Sequence, residues 1–295
     1  AYIADVTTPE NRSKGMGMIG MAFGLGFILG PALGAFSASV FGLQGPGWVA
    51  AGFCGANLIL ASFILIESRK PSSEHAATRP NVEQWVHTFQ QKKLAFLNSL
   101  FFLSTFCFAV VESTLPLLLN ESFNYDEKRI GYLFAYCGVM TAFTQGGVIG
   151  RLVKRFGEPQ LISASLMILA VAMALIPYAP HLGEMLLGLG LFAIGSGINR
   201  APTMGLISMS APAHEQGATL GVTQSVGTLA RIIGPVAGTW LFFVYAPLPY
   251  LLCAGIAIFS GILAWQYLHR PATARRAATL VEAGEKASAP SLPND

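Results

Sequence analysis

The sequence predicts an all-α membrane protein with eight membrane-crossing helices, and three observations carry that prediction. The 295-residue chain is 53% hydrophobic and only 11% charged, with a mean hydropathy of +0.55; a soluble domain carries about 25% charge. Its apolar residues fall into eight runs, at about 15–41, 47–66, 94–119, 130–150, 160–178, 184–209, 217–243 and 249–268, each long enough for a helix to cross a ~30 Å hydrocarbon core. The cations are also sided. With the first loop placed in the cytoplasm, 14 Lys and Arg fall on inner segments and two, Lys128 and Arg129, on outer ones, which is the positive-inside bias. Arg200 and Arg231 remain, both within apolar runs. Eight crossings place both ends of the chain in the cytoplasm.

Residues 1–14 read as the end of a helix and a short inner loop, Asp5-Val6-Thr7-Thr8-Pro9-Glu10-Asn11-Arg12. The first full helix carries Gly26, Gly30 and Gly34 at four-residue spacing, with Pro31 among them. Such a strip lacks side chains and lets another helix approach closely, while Pro31 removes a backbone donor and bends the helix. A tight outer turn leads to the second helix, which ends at Ile66. Residues 67–93 are polar, mixed in charge and contain Pro71 and Pro80, as a cytoplasmic linker would. Within them Trp85, Val86 and Phe89 suit either a short amphipathic helix on the membrane surface or a loosely ordered connection.

The third helix is expected to end near Pro116, before an outer loop with Glu121, Asp126 and Glu127. The fourth leads into a basic inner turn over residues 150–157, which holds Gly150, Arg151, Lys154, Arg155 and Gly157. The fifth ends at Pro177-Tyr178-Ala179-Pro180, and the sixth passes through Gly195, Gly197, Asn199 and Arg200. The seventh holds Gly234, Pro235 and Gly238. Beyond the eighth, residues 271–295 are rich in Ala, Ser and Pro and are expected to be disordered.

The first and seventh helices repeat one pattern. An offset of 204 residues sets Pro31 on Pro235, Gly17 on Gly221, Gly30 on Gly234 and Gly34 on Gly238. The same shift puts the counterpart of the third helix ahead of residue 1, so three whole helices and most of a fourth are expected upstream. The layout is then 1–66 as the end of an N-terminal six-helix bundle, 67–93 as the linker, 94–270 as a C-terminal six-helix bundle and 271–295 as a tail.

Two six-helix halves joined by a cytoplasmic linker resemble the major facilitator superfamily. Gly26-x-x-x-Gly30-Pro31-x-x-Gly34-Ala35 resembles the fifth-helix motif of that superfamily's drug/proton antiporters, whose usual form ends in Gly-Gly. Tyr2-Ile3-Ala4-Asp5 with Pro9-Glu10-x-Arg12 resembles the preceding junction in the same group, which includes tetracycline and multidrug exporters. Gly150-x-Leu152-x-Lys154-Arg155-Phe156-Gly157 resembles the second copy of the inner-loop motif, with Lys154 where the family usually has Asp. The resemblance implies a major facilitator fold with eight of twelve helices present. It also implies alternating access and proton-coupled export of a small amphipathic compound; the Lys and Arg bias and the helix lengths suit a bacterial inner membrane. Facilitator-type uptake, or symport of a sugar or other metabolite, is the alternative.

Embedded polar residues are the candidates for chemistry. Of 15 acids only Glu112 lies well inside an apolar run, where an ionisable group costs roughly 2.5–3.5 kcal/mol on insertion scales. Glu112 is expected either to serve as a proton or cationic-substrate site, or to be bonded to a neighbouring helix or solvated near the outer surface. Arg231, four residues before Pro235, contacts substrate or a carboxylate, or fixes packing through backbone carbonyls. Arg200 with Asn199 faces the cavity or snorkels to the inner surface. Gln145 and Gln224 bond between helices or reach the cavity, and Phe101, Phe102, Phe106 and Phe108 line it or face lipid. Gly26, Gly30, Pro31, Gly34 and their second copy serve rocking of the bundles or packing alone.

Other classes find little support. There is no Gly-x-x-x-x-Gly-Lys-Ser/Thr phosphate loop for an ATP-driven pump. The embedded ionisable groups are too scattered for an enzyme. Cys54, Cys107, Cys137 and Cys253 lie in apolar runs without a Cys-x-x-Cys pair and read as small apolar side chains. The five histidines fall in loops or at helix ends. No cofactor, metal or nucleic acid is expected; the partners are a small-molecule substrate, protons and the bilayer, and the protein is expected to be monomeric. Sequencing the DNA upstream of the Ala1 codon is expected to show an open frame of about 110–140 codons with four apolar segments, each near the ~20 residues of a membrane helix. A stop codon just upstream would remove the support for the antiporter reading.

Overall fold

The computed structural model describes residues 7–64, 82–212 and 215–269. The Tyr2 to Asp5 part of the junction motif, most of the linker and the tail lie outside the described residues. The rest is built of helices. α1 is Pro9–Phe41, α2 Gly45–Ile64, α3 Val82–Gln90, α4 Lys92–Phe123 and α5 Glu127–Ala142. α5 continues through a π-helical turn, Phe143–Val148, into α6, Ile149–Phe156. α7 is Glu158–Leu175, α8 Leu182–Ser210, α9 Gln216–Val244 and α10 Leu248–Leu268. Seven of these stretches are long and apolar enough to cross a membrane: α2, α4, α5 to α6, α7, α8, α9 and α10. The 33-residue α1 is the eighth long helix.

Local chemistry fixes the ends. Pro9 opens α1, where its missing N–H costs no helical bond. The Asp126 carboxylate accepts from the Arg129 N–H at 3.1 Å and caps α5. The His181 N–H donates to Glu184 Oε2 at 3.0 Å and starts α8. Asn124 stops α4 in the left-handed region at φ 51.

Two boundaries differ from the sequence expectation. α4 does not end near Pro116 but runs on to Phe123, because Leu118 and Leu119 beyond that proline still have a core to fill. Residues 150–156 are not a turn but the last part of a helix. Ile149 and Val153 are buried there while Arg151, Lys154 and Arg155 stay exposed. Lys154 and Arg155 sit in its last turn, where cations suit the helix dipole. The turn itself is Gly157, at φ 76, a conformation open to glycine.

Small residues set the helix contacts, as they do in lipid. α9 runs parallel along α4. A Cβ on Gly227 would meet Phe101 at 2.8 Å, one on Gly234 would meet Ala109 at 2.9 Å, and one on Gly238 would meet Val110 at 3.0 Å. Gly195 brings α8 against Leu169 of α7, and Gly261 brings α10 against Leu166. The main core lies where α4, α7, α8 and α10 meet, with Val111, Ile162, Met173, Leu189 and Cys253 all buried. Large apolar side chains such as Trp48, Phe63, Val236 and Phe243 cover the outside, as a surface in contact with lipid tails requires.

α1 packs across α5, α6 and α8. A Cβ on its Gly17 would meet Ile149 at 2.9 Å, and one on Gly146 would run into Met21. Gly150 of the inner motif lies against Lys14. Further along α1, no atom of a described residue lies within 4 Å of a Cβ on Gly26, Gly30 or Gly34. The two Gly-Pro copies therefore differ among the described residues: α4 fills the α9 strip, and none of them fills the α1 strip. α3 forms the short helix that Trp85, Val86 and Phe89 suggested. It stacks Trp85 near Phe89 at 6.1 Å and exposes Val86 and Phe89. His87 Nδ1 lies 3.3 Å from Glu215 at the start of α9.

A Gly234→Leu substitution is expected to lower the thermal midpoint of the purified protein by several degrees, since overpacking a close contact costs about 1–3 kcal/mol. Gly221→Leu, where nothing lies within 4 Å, is expected to leave the midpoint unchanged.

Candidate functional site

The helices line a partly open, largely apolar cavity, the kind of concavity in which small molecules bind. α4 contributes Phe101, Ser104, Thr105, Phe108, Val111, Glu112 and Leu115. α5 and its π turn contribute Phe134, Cys137, Gly138, Thr141 and Gln145. Leu169 and Met173 come from α7, Phe192, Ala193, Ser196, Asn199 and Arg200 from α8, and Arg231 from α9.

Glu112, Arg200 and Arg231, far apart in sequence, thus share one wall. The parallel run of α9 along α4 sets their order. With Gly227 level with Phe101 and Gly234 level with Ala109, Arg231 stands about two turns, roughly 10 Å, along the axis from Glu112. Arg231 lies within electrostatic range of both Glu112 and Arg200.

Prolines mark the same places. Pro116 and Pro235 lie inside α4 and α9. Lacking an N–H, each leaves the carbonyl four residues earlier without its helical donor. Those carbonyls belong to Glu112 and Arg231. Pro202, inside α8, acts on Ile198, next to Asn199 and Arg200. Backbone acceptors are released beside each of the three charged groups.

The amides behave differently from one another. Asn199 Nδ2 donates to Ser165 Oγ at 3.1 Å, tying α8 to α7. Gln145 is 4% exposed, and its Oε1 has no hydrogen-bond partner among the described residues. It sits in the π turn, a form found often at functional sites. Gln224 is exposed on α9 and does not line the cavity. Phe101 and Phe108 line the cavity, whereas Phe102 and Phe106 stack on each other at 6.4 Å outside its wall.

The sequence reasoning missed the hydroxyls of Ser104, Thr105, Thr141 and Ser196. Their signal was helical period. Phe101, Ser104, Thr105, Phe108, Val111, Glu112 and Leu115 recur at three and four residues and so share one face with the embedded carboxyl. Among the described residues no group of His, Cys, Asp and Glu could hold a metal ion.

The family model of the Major Facilitator Superfamily matches residues 1–235 and 101–292. Major facilitator superfamily domain-containing protein 10 of Mus musculus is 25% identical, over 93% of this chain and 64% of its own length. Tetracycline resistance protein, class C, of Escherichia coli is 28% identical, over 86% of this chain and 67% of its own. The crystal structure of the human organic anion transporter MFSD10 superposes with a TM-score of 0.75 at 27% identity, covering 89% of this chain and 66% of that one. The chain thus spans about two thirds of the length of these relatives.

Gln145→Met is expected to keep or raise the thermal midpoint, because a buried oxygen without a partner costs about 1–3 kcal/mol. If the side chain serves the cavity, the same variant lowers transport by the whole protein severalfold. Unchanged transport would make Gln145 a packing residue.

Proposed function

The chain belongs to the Major Facilitator Superfamily, and from that premise we propose that it works as a secondary active transporter exporting a small amphipathic compound in exchange for protons. The observation that carries this is the cavity wall, where Glu112 and Arg231 lie on helices that hold Pro116 and Pro235. A carboxyl embedded among apolar residues is suited to take up a proton on one side and release it on the other. Arg231 is its electrostatic partner when it is ionised.

Export rather than uptake is supported by the Gly26 to Gly34 motif, with Pro31, and by the likeness to a tetracycline resistance protein. Alternating access then moves α1 and its bundle against the cavity-bearing helices. Gly17, Gly146 and Gly150 make the close crossing between them. Gly234, Pro235 and Gly238 bend α9 and hold it to α4. Asn199, Arg200 and Gln145 complete the polar wall, while Gln224 has no part in it. Lys154, Arg155 and Gly157 form the basic inner corner. The Lys and Arg distribution supports a bacterial inner membrane with both ends of the chain in the cytoplasm. The working unit is a monomer.

The test uses the whole protein in proteoliposomes with an imposed proton gradient and tetracycline as the probe. Glu112→Gln is expected to abolish gradient-driven movement, at least tenfold, while exchange of labelled for unlabelled probe persists. Gradient-driven movement that survives in Glu112→Gln would overturn the assignment of Glu112.

A further inference from the structure

Two buried polar groups beneath the cavity are unmatched. Where α4 and α9 begin and α8 ends, Leu94, Leu97 and Phe101 pack with Met204, Ile207 and Leu220 in one small apolar cluster. Phe101 also lines the cavity, so this cluster closes its lower end. Asn98 and Ser208 lie on the same turns, each 0% exposed. Asn98 Nδ2 donates to the Leu94 carbonyl at 2.9 Å. Its Oδ1, like Ser208 Oγ, has no hydrogen-bond partner among the described residues, and neither atom is exposed to water. An unmatched polar atom in such a place is costly.

The two groups are complementary. Oδ1 is an acceptor, and a hydroxyl brings a donor. Asn98 follows Leu94 by four residues and Ser208 follows Met204 by four, so each side chain stands on the face of its helix that carries the cluster. One hydrogen bond from Ser208 Oγ to Asn98 Oδ1 satisfies both. Thr203 and Thr223 show the usual alternative, since each donates to a carbonyl of its own helix, Asn199 at 2.8 Å and Thr219 at 3.0 Å; Ser208 does not take it. The means of movement lies in α8. Pro202 is inside that helix, six residues before Ser208. Proline removes a bond of the helical ladder and is a place where helices bend. On the cavity side of it, Asn199 is tied to Ser165 of α7 at 3.1 Å. The segment beyond, with Met204, Ile207 and Ser208, is the part left to turn against that anchor.

We propose that Asn98 and Ser208 are the two halves of a clasp, which closes when the end of α8 turns about Pro202 and seals the cavity on that side. The structure holds the unclasped form, with the apolar cluster packed and the polar pair open. This rests on the cavity being the transport site and adds a gate inside one bundle, distinct from the movement of α1. A single neutral hydrogen bond suits a gate, because its net worth is small and it makes and breaks easily.

The experiment asks first whether the two positions meet. In the whole protein, with Cys54, Cys107, Cys137 and Cys253 changed to Ala, Asn98→Cys and Ser208→Cys are combined and treated with copper phenanthroline as the oxidant. A disulfide needs Cα atoms about 4.4–6.8 Å apart, so the clasp predicts a bond that a peptide map of the purified protein shows and dithiothreitol removes. Cross-linked protein in proteoliposomes is expected to exchange labelled for unlabelled tetracycline at least tenfold more slowly, and reduction restores the rate. Should the cysteine background misfold, Ser208→Ala and Asn98→Leu decide in the natural chain: each slows exchange severalfold, and the double variant is no slower than either. Absence of the disulfide, a cross-link that leaves exchange unchanged, or single effects that multiply in the double variant overturn the proposal. The export reading fails separately: a cross-link that forms while tetracycline shows no gradient-driven movement defeats export and leaves the clasp standing.

Discussion

In hydrocarbon a polar group has no water to turn to, and the rest of this structure follows from that constraint. Helices satisfy their own backbone, and the embedded hydroxyls return to the helix that carries them. Thr114 donates to the Val110 carbonyl at 2.8 Å, Thr144 to Met140 at 2.7 Å, Thr203 to Asn199 at 2.8 Å and Thr223 to Thr219 at 3.0 Å. With those groups closed locally, helices meet through shape, and glycines decide where backbones come close. Glu112, Gln145, Asn199, Arg200 and Arg231 are gathered at one place, the cavity.

Proline appears where that gathering happens. A proline within a soluble helix costs about 3 kcal/mol, so three of them inside α4, α8 and α9 are a sustained expense in stability. Each releases a carbonyl within two residues of a charged cavity group. In α4 the helix continues past its proline with its apolar face still inward. Leu115, Leu118 and Leu119 show the gain for α4, since all three are buried on either side of Pro116.

Most of the fold was legible because lipid imposes length and composition on each crossing helix. The eight apolar runs correspond to eight long helical stretches, with ends displaced by a few residues. The failures have physical causes. Pro116 read as a stop because proline breaks soluble helices, yet one lost bond in a 32-residue helix is outweighed by the apolar face beyond it. Residues 150–156 read as a turn from their charges, yet Ile149 and Val153 supply an inward face at helical spacing. In the cavity, Glu112, Arg200, Arg231, Asn199 and Gln145 were visible as embedded polar groups. Their convergence was not, because it depends on helices that meet only in space. Gln224 carries the same sequence signal as Gln145 and faces outward, which shows that an embedded amide alone does not locate a cavity.

Gln145 differs from Gln224 in its backbone. It lies in the π turn of Phe143–Val148, where an extra residue per turn rotates the chain. Its carbonyl oxygen faces Gly17, 3.0 Å from where a Cβ would be, and its side chain lines the cavity. Next to it, Gly146 leaves room only for Met21 of α1. One turn therefore serves two surfaces, the crossing of α1 over α5 and α6 and the wall around the charged groups. Coupling between a site and a moving bundle needs an element that both can bias, and for the transport proposed above the π turn is placed to be that element.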